Sequence, residues 1–320
     1  MYNEAAGLND LFQRLLPVLE ALSVSFELIC VDDGCTDDTV EMLRQWQAEG
    51  APVTIVRLSR NFGKERALAA GLDRAVGEVV VPLDADLQDP PELIATLLAK
   101  WQEGYDMVVA RRVSRPGDSQ FKVQSARWFY RVMNRFSEIA LPENAGDFRL
   151  MDRRVVDAIK ALPERARFHK GLYAWIGYST SYVDYERPAR LRGVSKWSYW
   201  KLWNYALDGI FSFSTAPLRL WSYIGALTAF FGFFYAVYTI IRTLLLGIEV
   251  PGYASLLVLT LILNGFLLIG VGVIGEYIGR VFGEVKGRPL YLIDAIEQGP
   301  VNSLAAPESL PEKSVRAAAS

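Results

Sequence analysis

The chain is poor in cysteine and in histidine. Cys30 and Cys35 are the two cysteines in 320 residues; they cannot frame a disulfide-stapled fold and have no companions for a zinc site. The single histidine, His169, rules out a metal centre built on imidazole, so any metal here takes oxygen ligands. There is no basic excess: the formal net charge is -2, which argues against a nucleic-acid partner. The opening MYNEAAGLND has neither a basic n-region nor an apolar h-region, so no cleavable signal peptide is read there. Charge is also missing from two long stretches, Leu220 to Ile241 and Tyr253 to Gly275.

Those two stretches set the architecture. A charge-free helix of about 22 residues spans about 33 Å, enough for a hydrocarbon core of about 30 Å. Each stretch is apolar all the way round, which disfavours the reading as two buried helices of a soluble core. The short link around GIEVPGY makes them a hairpin, expected over 218–282 with spans near 220–241 and 253–276. Basic residues lie outside it: Arg187, Arg190, Arg192, Lys196, Lys201 and Arg219 before, Arg280, Lys286 and Arg288 after. Only Arg242 lies near the link. The positive-inside rule then puts the rest of the chain in the cytoplasm. Trp197, Trp200, Trp203 and Trp221 suit an aromatic belt, and 185–217 reads as interfacial helices with a phosphate-binding loop. Residues 283–320 read as a cytoplasmic tail, disordered after about 298 on its Ala, Ser, Pro and Glu content.

Residues 1–184 alternate short apolar runs with amphipathic stretches. FELICVD, VTIVRLS, EVVVPLDAD and DMVVARR read as strands. TDDTVEMLRQWQ, Lys64 to Ala75 and DPPELIATLLAKW read as helices, the first capped by Thr36 or Asp37. Consecutive apolar residues fit strands buried on both faces. The expected class is therefore α/β, with a mainly parallel, Rossmann-like sheet. Ligands of such sheets bind beyond the carboxyl ends of the strands. Two acidic clusters sit at such ends: Asp32-Asp33-Gly34 and Asp84-Ala85-Asp86. Carboxylates there need partners, and a hard divalent cation such as Mg²⁺ or Mn²⁺, bound with a diphosphate, is the natural one.

Tyr2-Asn3-Glu4, V-D-D-G from Val31, N-F-G-K from Asn61 and D-A-D-L-Q-D-P-P-E from Asp84 together resemble the large inverting glycosyltransferase family 2, with its GT-A fold. G-D-F-R-L-M-D from Gly146, G-V-S-K-W from Gly193 and the helix hairpin narrow the resemblance to the polyprenyl-phosphate branch. That branch includes bactoprenol glucosyltransferases and resembles dolichol-phosphate mannose synthases. The resemblance covers the chain to about residue 295. It implies a nucleotide-sugar donor, with UDP-glucose the first choice. It implies a polyprenyl (undecaprenyl) phosphate acceptor at a bacterial inner membrane, and a product used in cell-envelope glycan or O-antigen modification. It implies that Tyr2, Asn3, Glu4, Asp32, Asp33, Lys64, Asp84 and Ala85 line the nucleotide-sugar site. Asp86 and Gln88, with Asp84, would hold the metal; Asp147 would sit at the reacting centre; Arg190, Arg192 and Lys196 would meet the acceptor phosphate. Arg111, Arg112 and Arg131 are looser candidates for that last role, against solvated surface arginines.

A phosphate monoester has a second pKa of about 6 and is already a nucleophile at neutral pH. Asp147 therefore either takes a residual proton or orients a substrate. In-line attack inverts the anomeric centre.

Several features point elsewhere. Met1 stands directly before Tyr2, where the family has a whole apolar strand, so a start upstream is expected. Q-S-A-R-W from Gln124 matches a pattern of processive polysaccharide synthases, but it precedes Asp147 and only two spans follow. The stretch from Phe121 to Phe136 reads instead as an amphipathic helix. Cys35 reads as packing, His169 as structural, and Glu276 with Arg280 as an i, i+4 pair. Gly265, Gly270, Gly272 and Gly275 permit close helix packing, within the hairpin or in a homo-oligomer. Besides a polyprenyl-phosphate glycosyltransferase, two readings stand: a processive polysaccharide synthase, and a catalytically silent membrane scaffold that binds nucleotide-sugars.

Overall fold

The computed structural model describes residues 1–113, 145–162, 164–165, 169–186, 215–247 and 252–300. Its strands are β1 (Leu28–Asp32), β2 (Val53–Leu58), β3 (Val79–Val80), β4 (Met107–Arg112), β5 (Ala145–Asp152), β6 (Thr180–Tyr185) and β7 (Ile293–Glu297). Its helices are α1 (Ala5–Ala21), α2 (Thr39–Ala48), α3 (Lys64–Arg74), α4 (Leu93–Gln102), α5 (Arg153–Ala161), α6 (His169–Trp175), α7 (Ala216–Leu246) and α8 (Tyr253–Val285).

Among the described residues the strands form two sheets, ordered β1-β2-β7 and β3-β5-β4-β6. The α/β class expected from sequence holds, but the sheets are mixed rather than mainly parallel. β1–β2 and β4–β6 run parallel; β2–β7, β3–β5 and β4–β5 run antiparallel. The antiparallel pairs come from β5 and β7, which run back alongside strands already laid down. The third strand is also shorter than the run EVVVPLDAD suggests. Pro82 has no N–H for a ladder, and the pairing stops at Val80.

The continuous apolar runs are explained by helices on both faces. On one face Leu8, Leu11 and Phe12 of α1 pack with Leu43 of α2 and Ile55 of β2. Further along α1, Leu15 and Leu19 meet Leu97 and Trp101 of α4 over Val108 and Leu150. On the other face Ala67 and Ala70 of α3 cover Val31 and Val56, while Val155, Val156 and Ile159 of α5 cover Met107 and Met151. Each fully buried Leu or Ile contributes about 2 kcal/mol of burial free energy. α2 begins later than Thr36 or Asp37. Its N-cap is Asp38 without a side-chain cap bond; Asp37 instead accepts from the Thr39 amide at 3.2 Å and hydroxyl at 2.6 Å.

Within α7 and α8, Leu220–Leu245 and Ile262–Val285 are long and apolar enough to cross a membrane. Trp221 meets Phe266 edge-on at 6.3 Å between ring centroids, and its indole lies against Gly270. Arg280 donates to Glu276 at 2.9 Å, the i, i+4 pair read from sequence.

After the hairpin the chain returns to the α/β domain. Residues 293–297, read from sequence as part of a tail, form β7 on the edge of β2. Arg44 donates through Nε and a terminal nitrogen to the two Glu297 carboxylate oxygens, each at 2.7 Å. Gln47 donates to the carbonyls of Val53 and Glu297, and the Tyr291 hydroxyl donates to Asp73 at 2.6 Å. At the other terminus the Met1 amino group donates to the Val31 carbonyl at 2.7 Å, and the Asp33 amide donates to the Met1 carbonyl at 2.9 Å.

Candidate active site

The V-D-D-G and N-F-G-K motifs are one physical unit. Asp33 is 3% exposed, and its carboxylate accepts from the amides of Phe62 at 2.7 Å and Gly63 at 3.0 Å. Gly34 has φ +73°, and a Cβ there would lie 2.7 Å from the Asn61 nitrogen. Both the left-handed backbone and the contact demand glycine. Asp32, also buried, accepts from the Cys35 amide at 2.7 Å and has Arg57 Nε at 3.7 Å. The N-terminal triplet packs on the same strand end. The Thr36 amide donates to Asn3 Oδ1 at 2.8 Å, the Asn3 amide to Cys35 Sγ at 3.2 Å, and the Glu4 amide to Thr39 Oγ1 at 3.0 Å. Tyr2 is exposed. Burial pushes the Cys35 thiol up to about 11, which suits the packing role read for it.

The Asp33 clamp on residues 62 and 63 sets where α3 begins, and Lys64 is its first residue. Lys64 Nζ lies 2.8 Å from Asp84 Oδ2 and 2.8 Å from Asp147 Oδ2. Three residues from separate motifs thus meet at one point. Burial works to lower the Lys64 pKa, but the two carboxylates outweigh it and hold the ammonium above its ordinary range. Asp147 is mostly buried. Burial raises its pKa, yet Lys64, then Lys170 and Arg149, overcome this and bring it down to about 2.

Asp84, Ala85, Asp86 and Gln88 form the turn after β3. The Gln88 amide donates to Asp86 Oδ1 at 3.2 Å, fixing one carboxylate oxygen. Among the described residues no group of three or more His, Cys, Asp or Glu gathers as a ready-made metal cage. That donor set still fits Mg²⁺ or Mn²⁺. Such ions take one or two carboxylates and fill the rest of the shell with substrate phosphate and water. The last acid of the motif, Asp89, turns inward: it is buried, accepts from the Tyr185 hydroxyl and has Arg112 at 3.5 Å. Arg111 is tied at the surface to Asp184 at 2.7 Å.

Sequence reasoning missed the second layer around Asp147. Arg149, two residues on, is fully buried; it donates to the Gly146 carbonyl at 2.5 Å and lies 3.7 Å from the Tyr173 ring centroid. His169 is buried against Glu65, with its Nδ1 and its amide both on Glu65 Oε2. Lys170 follows it. The signal available was the adjacency of Glu65 to Lys64 and of Arg149 to Asp147. The partners lie on α6, a helix too short to show periodicity. Arg190, Arg192, Lys196 and Arg131, the Gln124–Trp128 pattern and the interfacial tryptophans Trp197, Trp200 and Trp203 lie outside the described residues.

Comparison with known proteins agrees with the motifs. Residues 1–160 match the family model Glycosyl transferase family 2, and residues 216–281 match the GtrB C-terminal hairpin. A glycosyltransferase of Synechocystis sp. is 56% identical over 293 residues, 92% of each chain. The bactoprenol glucosyl transferase of Shigella phage SfII is 46% identical over 299 residues, 93% of this chain and 97% of that protein. An Escherichia coli prophage bactoprenol glucosyl transferase homolog is 44% identical over 298 residues, with the same shares of each chain. Among solved structures, glucosyl-3-phosphoglycerate synthase from Mycobacterium tuberculosis, in complex with Mn²⁺, UDP-glucose and phosphoglyceric acid, aligns at TM-score 0.43. It has 20% identity over 66% of this chain and 74% of that one.

Proposed function

Because the chain belongs to glycosyl transferase family 2 and carries the GtrB C-terminal hairpin, we propose that it transfers glucose from UDP-glucose to a polyprenyl phosphate, with inversion, at the cytoplasmic face of a membrane. The 44–47% identity with bactoprenol glucosyl transferases over 92–93% of the chain supports the sugar and the lipid. The structural observation that carries the reading is the meeting of Lys64, Asp84 and Asp147 beyond the sheet. The product would be a β-linked glucosyl lipid if the donor is α-linked.

Roles follow from position and charge. Tyr2, Asn3 and Glu4, with the Asp32–Asp33 loop and Ala85, border the nucleotide. Asp84 and Asp86, with Gln88, would hold Mg²⁺ or Mn²⁺, which when bound supplies charge neutralisation on the leaving diphosphate. Lys64 adds a second cation beside it. Arg190, Arg192 and Lys196 are assigned to the acceptor phosphate. Asp147 is assigned an orienting role. A carboxylate held near 2 in the free protein is a weak proton acceptor, and the phosphate dianion needs none removed. The rate then comes from positioning two substrates and from preset charge.

We assign 1–184 with β7 to the catalytic domain, 185–217 to the membrane surface and 218–282 to the membrane hairpin. The glycines of α8 that do not face α7 are available for a homo-oligomer. The reaction is tested on membranes carrying the protein, given undecaprenyl phosphate, Mg²⁺ or Mn²⁺ and a panel of labelled UDP- and GDP-sugars. Label from UDP-glucose is expected in the organic extract, one sugar per lipid. A polymer, or no lipid-linked label from folded protein with any donor, would overturn the proposal.

A further inference from the structure

α6 brings a lysine to the reacting centre that the roles above leave without a task. The helix is pinned by its inward residues: His169 is buried on Glu65, and Leu172 and Tyr173 are buried against the sheet. Glu65 directly follows Lys64 in α3. Two neighbouring pairs, 64–65 and 169–170, are therefore joined through Glu65 and His169, while Lys64 and Lys170 both act on Asp147.

The other cations nearby are matched. Lys64 shares Asp84 and Asp147. Arg112 has Asp89 at 3.5 Å and donates to the Tyr185 hydroxyl at 3.1 Å. Arg149 donates to a carbonyl and stacks on Tyr173. Lys170 is half-buried, and among the described residues its ammonium makes no hydrogen bond or close ion pair. It lies in the field of one carboxylate, Asp147, and three cations, Arg112, Lys64 and Arg149. Burial lowers its pKa, Asp147 opposes this, and the three cations lower it further. With its neighbours matched, Lys170 is the cation here whose ammonium is left for an anion from outside the described residues.

We propose that Lys170 binds a phosphate oxygen of a substrate at the reacting centre, positioned by the Glu65–His169 contact behind it. The inference rests on the glucosyl transfer proposed above, which brings two phosphate-bearing molecules to Asp147: the donor diphosphate and the lipid phosphate monoester. A lysine has the right form for either, a compact charge on a flexible stem.

The test uses the full-length protein in detergent or liposomes. Wild-type protein is acetylated with an amine-reactive ester, and Lys170 modification is read by mass spectrometry with UDP, with a short-chain polyprenyl phosphate, or with neither. Protection by UDP identifies the diphosphate; protection by the lipid phosphate alone identifies the acceptor. In kinetics, Lys170→Gln is expected to lower kcat/KM by about 10²-fold, in line with loss of one preset donor, and Lys170→Arg to recover part of it. The loss falls in UDP affinity for the first source and in acceptor KM for the second. Wild-type protein that transfers no glucose overturns the reaction, while protection of Lys170 would still uphold its phosphate contact. Active wild-type protein with Lys170 equally labelled in all three conditions, and Lys170→Gln at wild-type rates, overturns this inference.

Discussion

The Lys64 ammonium stands 2.8 Å from the carboxylates of both Asp84 and Asp147, so one side chain joins the turn after β3 to the start of β5. The contact brings together residues 20 and 83 positions away in the chain, and it holds two like charges near each other. Replacing Lys64 by Met removes the only described cation that touches both. The expected result is a fall in kcat/KM of at least about 10²-fold, with a lowered Tm but the protein still folded, because the Lys64 side chain is itself half exposed. Lipid-linked label measured against far-UV circular dichroism of the same preparation checks this.

Asp147 leads to a pH prediction. Its folded pKa of about 2 lies below the ordinary value of 3.8. Its contribution to stability is therefore complete above about pH 4 and is lost as the pH falls toward 2. Between pH 5 and 9 it stays ionised, so its titration cannot shape the pH dependence of the rate. The acid limb of kcat/KM should instead follow the acceptor phosphate, near pH 6. Asp147→Asn should lower the rate by about 10²-fold or more and leave that limb in place. A limb that vanishes in Asp147→Asn would return the residue to the role of proton acceptor.

Gly34 leaves no room for a side chain where the Asp33 loop meets residues 60 and 61. Alanine there must accept φ near +73° and a Cβ 2.7 Å from the Asn61 nitrogen. The strain alone costs about 1–3 kcal/mol, and relief would push apart the loops that the Asp33 carboxylate joins. Gly34→Ala should lower Tm and weaken UDP binding together; a normal Tm with normal UDP binding would contradict the close approach.

The turn at Asp84–Gln88 makes metal removal informative. EDTA should abolish transfer, and Mg²⁺ or Mn²⁺ should restore it. Asp86→Ala should lose the Mg²⁺-dependent part of UDP binding, read by calorimetry with and without the ion. Binding of UDP that ignores the ion in both proteins would remove the turn from consideration as a metal site.

Much of this was legible in the sequence because local patterns report local forces. Buried runs such as VTIVRL and amphipathic stretches such as LIATLLAKW marked β2 and α4 closely. β7 escaped because IDAIE is five residues long and carries two acids; it is a strand only because β2 offers an edge and Arg44 a partner. Asp32 and Asp33 read as site acids, but the sequence does not show that the Asp33 oxygens clamp the backbone of a loop about 30 residues away. Glu65 with His169 is a contact across 104 residues that no short-range period encodes, and the placing of Lys170 in the field of Asp147 follows from it. Motif order carried the chemistry where periodicity could not.

β7 lies on the edge of β2 although 242 residues separate Ile55 from its partner Glu297. Synthesis runs from the N-terminus, so β2 is made early and must wait for its last neighbour until both long apolar helices have left the ribosome. The order of assembly is thereby imposed: the α/β domain closes its sheet only after the hairpin exists. A nascent chain that stalls before residue 293 leaves an open strand edge, a surface that invites aggregation or a protease. Completion of the α/β domain thus reports that the helix hairpin has been made.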